Sequence, residues 1–177
     1  MKIIHENSVV VYENYFSDRD ILAIQQFSKS VFDNEFGSLD HSKRSFQQSL
    51  TKGVKGTTMI YDIHPDLDFE IYDILTEKFD MFAHYDFSAS LFFTEHGGGI
   101  NWHNDMGHKA ALTVYLNKDW KPEYGGFFTC ETHKEKLYNS FCPEFNLAIY
   151  QEGGIRHAVL PTYDHAPIRV SLQVFFR

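Results

Sequence analysis

Cysteine and long apolar runs are both scarce in this sequence. Cys130 and Cys142 are the only cysteines among 177 residues, and their number and spacing suggest neither a disulfide framework nor a thiolate metal site. No apolar run approaches the length of a membrane span. The apolar stretch within residues 1–11 is interrupted by charged and polar side chains, unlike a signal peptide. We therefore expect a cytoplasmic protein with no membrane partner.

Positive charge is also in short supply. The chain has 16 Lys and Arg against 24 Asp and Glu, which gives a formal net charge of −8. Proteins that bind nucleic acid or anionic membranes through their overall field need a basic surface, so we expect no nucleic-acid partner. The length allows one sizeable hydrophobic core but is short for two. We predict one domain over residues 1–177.

Two amphipathic helices are predicted in the first half of the chain. Ser17, followed by acidic residues, is typical of a helix start, and a helix is expected over about residues 18–34 because apolar residues then recur at helical spacing: Ile21, Ile24, Phe27 and Val31. A second helix is predicted over about 67–84, with Asp66 as its cap and an apolar face made of Leu67, Ile71, Ile74, Leu75 and Phe82. Between them, the polar segment 35–56 is predicted to be a loop or lid that carries Lys43, Arg44, Lys52 and Lys55.

Short strand-like runs alternate with glycine turns from residue 87 onward. The predicted strands are Ser90–Thr94, Ala110–Leu116, Phe127–Cys130, Asn146–Tyr150, Ala158–Leu160 and Ile168–Phe176. Many short strands at regular spacing indicate a sandwich or barrel. The expected fold is mainly β with flanking helices: a helical buttress over about 1–86 and a double-stranded β-helix, a cupin-like jelly roll, over about 87–177.

A metal-binding pattern is carried by one of three His-x-Asp motifs. The three are His64-Pro65-Asp66, His84-Tyr85-Asp86 and His103-Asn104-Asp105. The first two lie at the start and the exit of the second predicted helix, whereas the third lies between a glycine turn and a strand. Alternate residues of a strand share a face, so the third motif is expected to present both side chains on one side.

More distant residues complete this candidate site. His157 follows Asp105 by 52 residues, and two histidines with one carboxylate form the ligand set of non-haem iron(II) oxygenases, which leaves positions free for co-substrate and dioxygen. Arg169 lies twelve residues further along, and its guanidinium can fork onto the far carboxylate of a co-substrate such as 2-oxoglutarate. Ser171 and Tyr115 are the candidate hydroxyls beside it.

The stretch from Trp102 to Arg177 resembles the catalytic core of the prolyl 4-hydroxylase-like 2-oxoglutarate oxygenases. The matching residues are His103-Asn104-Asp105, Tyr115-Leu116-Asn117-Lys118-Asp119-Trp120, Gly125-Gly126, His157 and Arg169. The resemblance implies that His103, Asp105 and His157 are catalytic iron ligands, that Arg169 and Tyr115 bind 2-oxoglutarate, and that iron(II), 2-oxoglutarate and dioxygen are required, with ascorbate as an optional addition. It further implies hydroxylation of an unactivated C–H bond with release of succinate and carbon dioxide. Asp105 favours hydroxylation over halogenation, because related halogenases carry alanine or glycine at that place.

Three departures from the family pattern bear on the substrate. Phe93 stands where those hydroxylases commonly have a tyrosine, Phe175 where they often have a tryptophan, and His108 or Lys109 where an arginine is often found. Because of these differences, a prolyl residue, a free amino acid and another small metabolite all remain candidate substrates. The substrate is thus expected to be a small molecule or a peptide.

Two interpretations from other classes remain open. The first is a non-catalytic cupin-like binding protein, although cupins usually supply a His-x-His pair and this sequence contains none. The second is a zinc hydrolase, which could use two histidines and an aspartate with an open position but has no need of Arg169.

Overall fold

The computed structural model describes residues 3–6, 9–36, 48–79, 86–131 and 137–177. Several sequence predictions lie outside these ranges. They are the central part of the 35–56 segment, with Lys43 and Arg44, the end of the second helix, with Phe82, and His84 and Tyr85 of the second His-x-Asp motif.

The first helix begins where the sequence predicted. α1 spans Asp18–Val31, and the Ser17 hydroxyl accepts a hydrogen bond from the Asp20 backbone N–H at 3.2 Å. A short π-helical turn, Phe32–Phe36, continues it. Part of the predicted loop instead forms a one-turn helix, α2, Gln48–Thr51.

The second predicted helix begins later than expected. α3 spans Phe69–Phe79. Asp66 lies in the turn before this helix, and Asp68 is the residue directly before Phe69. The Asp68 backbone carbonyl accepts from Ile71 N at 3.0 Å, and its carboxylate accepts from His64 N at 2.9 Å, so the prediction that Asp66 caps this helix was wrong. The prediction that Leu67 belongs to the apolar face was also wrong, since Leu67 is 75% exposed. The predicted face does hold for Ile71 and Leu75, which are buried.

Two antiparallel sheets form the jelly roll, which confirms the predicted fold. Within the described ranges the larger sheet has seven strands in the order β1-β2-β9-β6-β11-β4-β3, and the smaller has four in the order β5-β10-β7-β8. The strands are β1 Ile3–Glu6, β2 Val9–Tyr12, β3 Thr58–Asp62, β4 Phe87–Thr94, β5 Ile100–His103, β6 Ala110–Tyr115, β7 Phe128–Glu131, β8 Tyr138–Phe141, β9 Ala148–Glu152, β10 His157–Val159 and β11 Arg169–Phe176.

Strand prediction succeeded for the strands with pronounced apolar patterns. All six predicted strands are present, with ends shifted by at most three residues. Five further strands were not predicted, namely β1, β2, β3, β5 and β8. The N-terminal segment, expected to supply helices, therefore also supplies three strands of the larger sheet.

The larger sheet separates two cores. Its outer face packs against α1 and α3 through residues such as Ile24, Leu75 and Leu91, while a smaller cluster that includes Tyr115 and Phe128 lies between the two sheets. No helix in the described part of the chain is long and apolar enough to cross a membrane.

Strand alternation in β4 decides which aromatic residue reaches the inside of the jelly roll. Phe92 lines the cavity between the sheets, whereas Phe93 belongs to the outer core and packs on Phe32 with ring centroids 5.5 Å apart. The interpretation of Phe93 as a departure within the active site was therefore wrong. Phe93 lies ten residues before His103, and the loop between them contains glycines. A shift of one residue moves a side chain to the opposite face of a strand, so the position along the chain alone selected a residue on the wrong face.

Candidate metal centre

The smaller sheet brings the three sequence-predicted ligands together. His103 ends β5 and His157 begins β10, and the two histidines are direct partners in the antiparallel ladder. Asp105 lies in the turn after β5 and not on the strand, so the expectation that a strand face aligns the His-x-Asp pair was wrong. The turn instead folds the carboxylate back: the potential ligand atoms of all three residues lie within 4.8 Å of one another.

The two imidazoles present the same nitrogen to the centre of this cluster. His103 Nδ1 lies 2.7 Å from the Asn101 carbonyl oxygen, and His157 Nδ1 lies 2.9 Å from the Ile155 carbonyl oxygen. A carbonyl can only accept, so each Nδ1 carries the proton and each Nε2 keeps its lone pair. Hydrogen bonds of this kind fix the tautomer and ring orientation of metal-binding histidines.

The Asp105 carboxylate lies between the two lone pairs. Its Oδ1 is 3.7 Å from His103 Nε2, and its Oδ2 is 3.6 Å from His157 Nε2. Burial lowers the pKa of His157, and the nearby His103 lowers it further. A neutral imidazole is the form that binds metals. Two histidines and one carboxylate with open positions fit a divalent iron ion.

Gln151 is a residue of this cluster that the sequence analysis missed. It lies on β9, is 3% exposed, and its Nε2 is 2.9 Å from Asp105 Oδ2 and 3.2 Å from His157 Nε2. A glutamine directly after the apolar run Ala148–Tyr150 was the available signal, but nothing in its spacing from the histidines marks it as part of a site.

A cavity of about 680 Å³ connects the candidate ligands to β11. Alternate residues of β11 line it, namely Arg169, Ser171, Gln173 and Phe175, as expected for one face of a strand. The prediction that Arg169 and Ser171 share a face with each other is confirmed. Tyr115, which pairs with Ser171 across β6 and β11, lines the same cavity.

Arg169 is a buried cation. It is 3% exposed, its Nη1 donates to the Gly126 carbonyl at 2.9 Å and its Nη2 donates to Thr94 Oγ1 at 3.2 Å. Among the residues that the structure describes it has no carboxylate partner, and its Nε has no hydrogen bond. Burial lowers its pKa. An uncompensated buried charge is costly, so this guanidinium fits an anionic ligand in the cavity.

Two further features shape the surroundings of Arg169. The Tyr115 hydroxyl is buried and lacks a hydrogen-bond partner among the described residues, and burial raises its pKa to about 12. It is therefore a donor without an acceptor. Gly126 has a φ of +72°, and a Cβ there would lie 3.2 Å from Arg169 Nη1. The glycine thus permits the close approach of the backbone to the guanidinium.

The residues predicted to differ near the substrate fall into two groups. Phe175 and His108 both line the cavity, and their rings are in contact, tilted by 32° with centroids 4.5 Å apart, whereas Lys109 is absent from the lining. The lining also includes Asp62, His64 and Arg177, which the sequence analysis did not propose. These groups make the cavity polar on the side of β3 and of the end of β11.

The comparison of this chain with protein families decides the class of the protein. The model of the 2OG-Fe(II) oxygenase superfamily matches residues 75–177. The chain belongs to this superfamily. It is therefore an oxidoreductase, and iron(II), 2-oxoglutarate and dioxygen are the cofactor and co-substrates of its family. This match confirms the resemblance to 2-oxoglutarate oxygenases.

Solved structures support the same fold at low sequence identity. A prolyl-4-hydroxylase from Pseudomonas putida is 17% identical with a TM-score of 0.71, and the alignment covers 97% of this chain and 92% of that chain. A prolyl hydroxylase from Trichoplax adhaerens, in complex with a hypoxia inducible factor peptide, is 16% identical with a TM-score of 0.75, covering 96% and 83%. The 2-oxoglutarate-dependent epimerase SnoN is 11% identical with a TM-score of 0.68, covering 97% and 78%. A search of curated proteins found no match.

Proposed function

We propose that this oxygenase hydroxylates an unactivated C–H bond of a small-molecule or peptidyl substrate and releases succinate and carbon dioxide. The observation that carries the proposal is the combination, in one cavity, of the three clustered ligand side chains with a buried arginine that lacks a carboxylate partner among the described residues. A zinc hydrolase has no need of that arginine.

The chain's own residues take separate roles in this proposal. His103, Asp105 and His157 hold the iron, because their ligand atoms cluster and both histidines are held in the tautomer that binds metals. Arg169 binds the distal carboxylate of 2-oxoglutarate through a charge-assisted fork. The Tyr115 hydroxyl, which has no partner among the described residues, donates to the same carboxylate. Ser171 lies beside them on β11. When bound, the iron with 2-oxoglutarate and dioxygen supplies the oxidation of the C–H bond.

The order of residues along the cavity supports one direction for the co-substrate. Tyr115 and Ser171 are ladder partners, and Thr94, which accepts from Arg169, is the ladder partner of Arg169 on β4. The groups proposed to bind 2-oxoglutarate therefore lie together at the Arg169 end of β11. Phe175 lies six residues further along the same strand, about 20 Å away, so the substrate is proposed to enter beside Phe175 and His108.

Two substrate classes fit that entrance. A prolyl residue is supported by the fold similarity to prolyl hydroxylases, one of which binds a peptide. A free amino acid or another small polar metabolite is favoured by different observations. Phe175 replaces the tryptophan common in those hydroxylases, and the cavity lining contains both a carboxylate, Asp62, and a guanidinium, Arg177. These two charges suit a small zwitterion.

An activity screen separates these possibilities. Purified protein with iron(II), ascorbate and 2-oxoglutarate is incubated with a pool of proline-containing peptides or a pool of free amino acids, and succinate and product masses are measured. We expect succinate formation that depends on one pool, with a product heavier by one oxygen atom, and none from Asp105→Ala. Absence of succinate with every pool, from protein that is folded and loaded with iron, would favour the cupin-like binding protein.

A further inference from the structure

The amide of Gln151 is enclosed between two of the proposed iron ligands. It is 3% exposed, and its single nitrogen lies within hydrogen-bond distance of both Asp105 Oδ2, at 2.9 Å, and His157 Nε2, at 3.2 Å. Gln151 belongs to β9 in the larger sheet, whereas His157 belongs to the smaller sheet. It is therefore a side chain from one sheet that reaches the candidate ligands of the other.

The orientation of the Gln151 amide follows from which of the neighbouring atoms can donate and which can only accept a hydrogen bond. An amide nitrogen has two N–H donors, and both neighbours are acceptors: a carboxylate oxygen and an imidazole nitrogen whose proton is on Nδ1, where the Ile155 carbonyl accepts it. The reverse orientation would place the amide oxygen 2.9 Å from a carboxylate oxygen, which is repulsive. The amide oxygen itself, Oε1, is buried without a partner among the described residues. The orientation of Gln151 is thus set by the two candidate ligands.

We propose, on the basis of the ligand assignment made under the proposed function, that Gln151 is a positioning residue that commits Asp105 to bind the metal through Oδ1 alone. In the metal-free protein its two N–H groups hold Asp105 and His157 in place. In the loaded protein the bond to Oδ2 would persist, while His157 Nε2 would bind the metal and no longer accept from the amide. Metal binding would therefore replace the hydrogen bond from the amide to His157 and would leave the hydrogen bond from the amide to Asp105.

This role has a consequence for the reaction. A carboxylate without a donor on its second oxygen can bind a metal through both oxygens, and the second would occupy a position that 2-oxoglutarate or dioxygen requires. Partners that orient a ligand typically change metal affinity or activity by about 10–100-fold when they are removed. Loss of Gln151 is therefore expected to alter metal binding itself, before any turnover.

The test uses cobalt(II) as a spectroscopic probe of the whole purified chain. Gln151→Met keeps the length of the side chain and removes both donors, and Gln26→Met, on the exposed face of α1, is the matched control. We expect folded Gln151→Met to bind cobalt(II) about 10–100-fold more weakly than wild type, with a changed visible spectrum. Affinity and spectrum equal to those of wild type and Gln26→Met would overturn the proposal.

A measurement on the wild type keeps the proposal testable if Gln151→Met does not fold. Zinc(II) is titrated into ¹⁵N-labelled protein, and the side-chain NH₂ signals of Gln151 are followed. We expect their shifts to change while one proton stays protected from exchange by Asp105. Loss of protection on both protons would mean that the amide turns its oxygen to the ion, which contradicts the proposal.

Failure of the ligand assignment gives a different pattern. If His103, Asp105 and His157 do not bind the metal, His157→Ala and Asp105→Ala will bind cobalt(II) as wild type does. If the assignment is right and only the role of Gln151 is wrong, both alanine variants lose cobalt(II) and Gln151→Met retains it.

Discussion

Replacement of Arg169 by methionine should abolish co-substrate binding without unfolding the protein. Methionine has a similar length and no charge. The guanidinium is expected to give 2-oxoglutarate two charge-assisted hydrogen bonds, each of about 1.5–3 kcal/mol. Their loss corresponds to about 3–6 kcal/mol, and at 1.4 kcal/mol per factor of ten the affinity for 2-oxoglutarate should fall by about 10²–10⁴-fold.

The stability of the metal-free protein should respond differently. Arg169 is buried without a carboxylate partner among the described residues, so its removal takes away a charge that is costly to bury. The same change leaves the Gly126 carbonyl without its donor, at about 1–3 kcal/mol. These effects oppose each other, so the free energy of unfolding should change by no more than about 2 kcal/mol.

Calorimetry and thermal unfolding measure both quantities. 2-Oxoglutarate is titrated anaerobically into protein loaded with manganese(II), and melting temperatures are recorded with and without the co-substrate. The co-substrate should raise the melting temperature of wild type and of the control but not that of Arg169→Met. Arg19→Met is the control, because Arg19 is an exposed arginine of α1. A variant Arg169→Met that binds 2-oxoglutarate as wild type does would refute the assignment of this residue, provided that the Arg19→Met control binds normally.

Three further predictions concern Tyr115, Gly126 and Ser17. Tyr115→Phe should weaken 2-oxoglutarate binding by about tenfold. Because the folded pKa of Tyr115 is raised to about 12, the wild type should lose stability relative to this variant as pH rises above 10, by up to about 1.4 kcal/mol per pH unit. Equal alkaline denaturation curves for the two proteins would contradict this. Gly126→Ala, at φ +72° and close to Arg169, should lower both the melting temperature and 2-oxoglutarate affinity, and an unchanged affinity would refute the crowding argument. Ser17→Ala should cost about 1 kcal/mol of unfolding free energy in urea titration, since its hydroxyl caps α1, without affecting 2-oxoglutarate binding.

The sequence predicted the strands and ligands that have a regular pattern. The strand that became β11 alternates cavity-facing and core-facing residues, and its position after His157 made Arg169 recognisable. β8, by contrast, has the sequence Tyr-Asn-Ser-Phe with exposed and half-buried residues, and β5 is only four residues long. Neither has a periodicity strong enough to distinguish a strand from a loop. β5 pairs with β10, which lies far along the chain, and β8 pairs with β7, so sheet formation supplies the preference that the local sequence lacks.

Site residues that act through a neighbour were not predictable from spacing. Gln151 contacts Asp105 only because β9 of the larger sheet faces the turn after β5. Phe93 shows the opposite error: its position in the chain suggested a site residue, but it lies on the outer face of β4, and its neighbour Phe92 lines the cavity. Both depend on how the two sheets pack, which the order of residues alone does not specify.

The measurement that tests the central proposal most directly is an anaerobic titration of the metal-free protein with iron(II) and 2-oxoglutarate. The visible charge-transfer band between iron and the bound keto acid is recorded for wild type, Asp105→Ala and Arg169→Ala. We predict a band in wild type that is weakened or lost in both variants, since one lacks a metal ligand and the other lacks the anchor for the distal carboxylate. No band in folded, iron-loaded wild type, or an undiminished band in both variants, would contradict the proposed site.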